Sequence, residues 1–423
     1  MLVIAAALLL TSGHARAAPA IDRPPGGGLY GYAAGPVQRF AGAEVVVHWV
    51  GRGPDAPPLA DADASGVPDY VEQMAAYGDL AVSTYRTLGF RRIRPDRAGG
   101  DARPDIYVKD LAGVLGVALA PAAARGGSFV MLAPDLDPSQ APTRGGLLVT
   151  TAHELFHLVQ FAYLPRNDMP DWVAEGSATG LSLLFAQRNA DPEVQRFLDR
   201  WFARPQTSLT STALACAQCY GGGYWWYLLA LDSGNPLPGY FTALAAASRA
   251  GRAGDGVAVL DRVLLRQYRR SLFALHQDLS VALWRDPDSI FGRRPRPIRT
   301  LTAPMHPSIR TFQMPALNAL ATHYIRVAVP PGAGCVSTLV DAADTPDRPH
   351  IDLIRDGAPG DPPVHPTDVS RKAGRVRAIT GLVFRDDAER TAGVTLIVTS
   401  GDRGRRVAPY RVRLLAAPGG PLC

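Results

Sequence analysis

The chain has 423 residues, more than one core usually spans, so two domains are expected. Its 47% hydrophobic and 19% charged residues exclude a disordered chain. The net charge of +6 comes mostly from arginine spread along the sequence, with short clusters such as Arg269–Arg270 and Arg293–Arg294; no nucleic-acid motif accompanies it, so it reads as solvation and no nucleic-acid partner is expected.

Leu2 to Leu10 form an apolar run too short to span a bilayer, followed by an A-x-A pattern at Ala15-Arg16-Ala17. Residues 1–17 are therefore expected to be a signal peptide, and the mature protein to be secreted, with no membrane contact after cleavage. Residues 18–40 are rich in Pro and Gly and read as a leader or linker. A strand is expected over 43–50. Val71, Met74, Ala81, Tyr85 and Leu88 then recur at helical spacing. Residues 104–111 and 128–133 read as strands, the second a candidate sheet edge for an extended peptide. A helix is expected from about Gly146 to Tyr163, ended by Leu164-Pro165, and another from Asp171, a good N-cap. Residues 191–285 read as mostly helical. Beyond residue 315 the texture becomes short β-rich runs between turns: 323–330, 336–343, 350–357, 376–386, 393–402 and 410–417. The expected fold class is α+β, with residues 41–310 as one domain and 316–423 as an antiparallel β-sandwich.

Export permits disulfides, and Cys216, Cys219, Cys335 and Cys423 allow three pairings. Cys216–Cys219 and Cys335–Cys423 are favoured because each pair then lies inside one proposed domain. Cys216-x-x-Cys219 also fits half a zinc site or a redox pair, but there is no second CxxC.

The most informative segment is TTAHELFHLVQFAY. On a helix, His153 and His157 stand one turn apart on the same face and can share one metal ion. Glu154 can reach a metal-bound water. Imidazole and carboxylate ligands suit zinc, and a third ligand is available in Glu175, on the next helix. Here the resemblance can be named: HELFH followed by WVAEGSAT resembles the gluzincin metallopeptidases, in which HExxH is completed by a glutamate on the following helix. The N-terminal portion, about Val37 to Leu229 and including DADASGVPDYVEQM and DARPDIYVKDL, is also similar to a family of secreted bacterial metalloproteases. The resemblance implies a zincin-like catalytic domain over 41–310, a zinc ion held by His153, His157 and Glu175, and Glu154 as general base. One departure is Thr179, where many gluzincins carry a carboxylate that supports a ligand histidine. The resemblance also implies a downstream Tyr or His that stabilises the oxyanion. Tyr220 and Tyr224 are the candidates, with His276 behind them.

The expected activity is hydrolysis of a peptide or protein substrate by an endopeptidase. No G-x-M-E-N-like segment marks an aminopeptidase. A non-catalytic binding or adhesion protein with a structural zinc is the alternative of another class, and the intact Glu154 argues against it. Finally, DADASGVPDYVE fits an EF-hand loop, with Asp61, Asp63, Ser65, Asp69 and Glu72 as calcium ligands and Gly66 at the turn. The competing reading is a polar turn in which Asp69 or Ser65 caps the helix that follows.

Overall fold

The computed structural model describes residues 32, 36–94, 102–120, 127–136, 146–165, 168–186, 199–212, 216–231, 234–285, 294–343, 349–356, 363–366, 368–372, 375–384, 387–400 and 406–418. The expected signal peptide, most of the expected leader and Cys423 lie outside them, so the expected Cys335–Cys423 pairing does too. The chain is of the α+β class and divides into two compact units, Met1–Leu198 with Gly222–Val259, and Asp199–Gly221 with Leu260–Cys423. The boundary expected near 310–316 lies within the second unit. Among the described residues no helix is long and apolar enough to cross a membrane.

The first unit is built on a five-stranded sheet in the order β1 (Val37–Ala41), β2 (Val46–Val50), β3 (Asp105–Val108), β5 (Phe129–Leu132), β4 (Gly116–Leu119). β2, β3 and β5 run parallel, and both edge strands are antiparallel to their neighbours. All residues of β2, β3 and β5 are buried, as expected of strands covered on both faces. Two strands were not legible in the sequence. β1 falls partly inside the expected leader, and β4 has only four residues. β5, the expected sheet edge, is interior because β4 pairs with it; among the described residues the open edge is β4.

Helix α1 (Asp69–Thr87) buries Val71, Met74, Ala81 and Tyr85, the expected apolar stripe. It comes close to the sheet at Gly78, where a Cβ would stand 2.8 Å from Val45. Asp79 of α1 accepts hydrogen bonds from the N–H groups of Ala43, Glu44 and Val45, which ties the helix to the approach of β2. Helix α2 (Leu147–Phe161) is buried almost all round, which fits a central helix packed on α1, α3, β4 and β5. Helix α3 (Asp171–Ser182) begins where expected, but Pro170 is its N-cap and Asp171 its first residue; no side chain caps it.

In the second unit, α4 (Ala217–Gly221) carries Cys219, which forms the expected disulfide with Cys216. That bond joins the two sulfurs to each other, so the CxxC serves neither as half a zinc site nor as a dithiol. Helix α5 (Gly223–Leu231) returns to the first unit and crosses α3 at a glycine pair. A Cβ on Gly180 would lie 2.5 Å from Trp226 Cβ, and one on Gly223 would lie 2.6 Å from Thr179. Helices α6 (Leu237–Arg249), α7 (Val257–Tyr268) and α8 (Leu272–Arg285) follow.

The tail forms two sheets. One is ordered β10 (His350–Arg355), β13 (Val394–Thr399), β8 (Thr322–Ala328), β6 (Arg299–Thr302); the other is β11 (Asp368–Lys372), β12 (Arg375–Val383), β9 (Cys335–Ala343), β14 (Tyr410–Ala417), β7 (Arg310–Met314). Val336, Val340, Val412 and Leu414 of one sheet and Ile325, Leu353, Leu396 and Val398 of the other enclose a single apolar core. The alternating burial of β14 puts Tyr410, Val412 and Leu414 inward, as a half-buried antiparallel strand requires. All pairings are antiparallel except β6 with β8. The outer face of the four-stranded sheet is covered by α8, with Val281 and Trp284 against Tyr324, Ile354 and Ile397.

Candidate metal centre

His153 and His157 stand one turn apart on α2, as a helix requires. α3 runs back beside α2 and brings Glu175 to them. His153 Nε2 and His157 Nε2 are 3.1 Å apart, and Glu175 Oε2 is 3.4 Å and 3.6 Å from them. Ligands about 2.0–2.1 Å from a tetrahedral ion would be separated by roughly 3.3 Å. The three atoms therefore already sit at the corners of a coordination sphere. Glu175 Oε2 is buried and accepts no hydrogen bond, a costly state for a carboxylate oxygen unless a cation meets it. The group can hold a metal ion, and its donors are the imidazole and carboxylate types that transition metals take.

Burial and charge pull the group in opposite directions. Burial opposes protonation of His157, yet the Glu175 carboxylate overrides it and lifts the imidazole to about 9. Burial likewise opposes ionisation of Glu175, but His157 and His153 hold it well below the usual carboxylate range. For Glu154 burial wins over the two imidazoles and pushes its carboxyl up. The negative Glu175 carboxylate that favours a proton on His157 would equally favour a bound cation, with both imidazoles then neutral donors.

Sequence reasoning missed the group that orients His157. His157 Nδ1 lies 2.8 Å from Gln160 Oε1, three residues on along α2. The amide of Gln160 is itself fixed, because its Nε2 donates to Ala174 C=O at 2.8 Å and to Ser177 Oγ at 2.9 Å. Gln160 therefore presents its oxygen to Nδ1 and keeps a proton there, so a metal ion that displaced the Nε2 proton would meet that nitrogen's lone pair. The i, i+3 spacing was the signal in the sequence. Thr179, the departure from the gluzincin pattern, is buried at the α3–α5 crossing.

Glu154 is 7% exposed and is held by β4. Gly116 makes room for it: a Cβ there would lie 2.6 Å from Glu154 Cγ. Ala133 N–H donates to Leu115 C=O, so the antiparallel alternation turns the backbone groups of Gly116 and Ala118 away from β5, towards the open edge. Glu154 thus stands beside the edge of the sheet that is unpaired among the described residues.

Tyr224 is fully buried on α5, the helix crossed by α3. Tyr220 and His276 belong to the second unit. His276 there faces Thr322 Oγ1 at 3.2 Å, and burial lowers its pKa to about 4. In the loop before α1, Asp61, Asp63 and Asp69 bring carboxylate oxygens within 4.8 Å of one another at the surface. Gly66 turns the loop at φ +85°, and Ser65 and Gly66 donate backbone N–H groups to Asp61. Neither Ser65 nor Asp69 caps α1. Its N-cap is Pro68 with no side-chain bond, and Asp69 accepts from Ala62 N–H.

No family model matches the chain, and no curated protein matches it. Among solved structures the chain is similar to a family GH115 4-O-methyl-α-glucuronidase with specificity for decorated arabinogalactans, at 9% identity and a TM-score of 0.17. The match covers 63% of this chain and 41% of that one. So slight a likeness carries no argument about chemistry.

Proposed function

We propose that the protein is a secreted, zinc-dependent endopeptidase of gluzincin type, with a zincin-like first unit, His153, His157 and Glu175 as metal ligands and Glu154 as general base. The observation that supports it best is the convergence of the three donor atoms at 3.1–3.6 Å, next to a buried carboxylate that is not a ligand. When bound, a zinc ion supplies Lewis acidity and a water acidified towards neutrality. Glu154 then takes the water proton on its carboxylate and delivers it to the leaving amine. Gly116 leaves that carboxylate space. An extended peptide adds to the free edge of β4, through main-chain hydrogen bonds to Gly116 and Ala118, and so lies alongside Glu154. Tyr224 is the candidate donor to the developing oxyanion.

The test is elemental analysis of purified protein combined with hydrolysis of unfolded casein. Zinc close to one equivalent and chelator-sensitive cleavage are expected. Glu154→Gln should keep its zinc and lose at least about a hundredfold in rate. Cleavage by that variant at the wild-type rate would remove Glu154 from the reaction.

A further inference from the structure

Asp171, the first residue of α3, stands one helical turn before Glu175 and so on the same face of the helix as that candidate ligand. Taking the protein as the peptidase proposed for it, we propose that Asp171 is a specificity residue of the metal site, which draws in a lysine or arginine side chain of the substrate flanking the scissile bond.

The fold gives this carboxylate no other task. It is not a fourth ligand, because the donor atoms within 4.8 Å of one another come from His153, His157 and Glu175. It does not cap α3, whose start carries no side-chain cap bond. Among the described residues it has no hydrogen bond and no ion pair. Burial first, and then the negative charge of Glu175, push its carboxyl up, and no cation acts on it. A half-buried carboxylate beside another is held at a cost that an arriving cation would relieve. Zinc in the group would not cancel it. The two charges of the ion are matched by Glu175 and Glu154 once both imidazoles are neutral, which leaves the charge of Asp171 over. The group is also within reach of solvent, since the His153 side chain is 14% exposed.

Reach selects a side chain over a terminal amine. One turn puts about 5.4 Å between the backbones at Asp171 and Glu175, and aspartate is a methylene shorter than glutamate. The four-carbon stem of lysine, or the arm of arginine, spans such a gap from a peptide lying at the metal. An α-amine is only two bonds from the scissile carbonyl carbon and stays close to the metal itself.

The experiment uses two pooled sets of N-acetylated peptides of casein sequence, identical except that norleucine replaces every lysine and arginine in the second. Cleavage is mapped by mass spectrometry. Wild type should cut beside Lys or Arg and favour the first set about tenfold or more in kcat/KM. Asp171→Asn should bring that ratio to within about twofold of one, with Tm moved by no more than about 2 °C. Asp171→Lys should reverse it. Binding is read without hydrolysis, as retention on immobilised, zinc-loaded Glu154→Gln protein. The basic set should be retained about tenfold more tightly, and adding Asp171→Asn should erase the difference. Cleavage by wild type with no preference for basic residues overturns the proposal and leaves the peptidase reading standing. Cleavage that occurs only on peptides with a free N-terminus, and is lost in Asp171→Asn, overturns it in favour of amine capture. Retention of the basic set that depends on Asp171, without any cleavage by wild type, upholds the recognition of a basic side chain and refutes the peptidase reading alone; neither retention nor cleavage refutes both.

Discussion

Replacing Gln160 by Met tests whether the site depends on the side chain that orients its ligand. Met keeps the length and the buried volume and removes the amide. His157 Nδ1 loses the acceptor at 2.8 Å, and Ala174 C=O and Ser177 Oγ lose the donors at 2.8 Å and 2.9 Å. Removing the partner of a metal-bound imidazole typically weakens metal affinity by about 10–100-fold, or roughly 1.4–2.7 kcal/mol. His157 Nδ1, left without its partner beside a fully buried position, costs the metal-free fold about 1–3 kcal/mol more. The two effects separate by assay. Zinc affinity is measured by competition with a chromophoric chelator at neutral pH, and metal-free stability by urea unfolding. A variant that unfolds earlier but binds zinc within twofold of wild type would show that Gln160 only fills space, and the tautomer argument would fail.

Gly116→Ala sets a Cβ 2.6 Å from Glu154 Cγ and should displace the carboxylate. Hydrolysis is expected to fall about a hundredfold while zinc content stays unchanged, and loss of zinc instead would place Glu154 among the ligands' supports. Gly180→Ala drives a methyl to within 2.5 Å of Trp226 Cβ and 2.7 Å of Gly223 C=O, so thermal unfolding should show roughly 1–3 kcal/mol of destabilisation. An unchanged Tm would mean the α3–α5 crossing can open freely. His276 and His323 are both held at about 4 by burial, against an ordinary 6.5. The unfolded chain therefore takes up protons first as pH falls, and stability is lost from about pH 6.5 down to about pH 4. The slope from these two groups approaches about 3 kcal/mol per pH unit in mid-window. His323→Asn should remove about half of it in urea unfolding at stepped pH; an unaltered slope would show that carboxylates alone set the acid limb.

Much of the architecture is legible without coordinates wherever one residue's burial repeats with a fixed period. α1 and α2 follow from their apolar spacing, and six of the tail strands from their alternating or continuous β-branched runs between turn residues. The short strands β1, β4, β6, β7 and β11 were missed for the same reason. Four or five residues hold too little periodicity to stand out, and their conformation comes from pairing with distant partners.

The metal group divides in the same way. His153, Glu154 and His157 are related by one turn of one helix, a local geometry that sequence spacing determines. Glu175 could be named because few residue types complete such a set, but its approach depends on how α3 folds back on α2. Gln160 as the partner of His157, Gly116 as the space for Glu154 and β4 rather than β5 as the open edge were decided only by the tertiary structure. Each is a contact between atoms that the chain order leaves unrelated or ambiguous, and packing, not local propensity, chose among the possibilities.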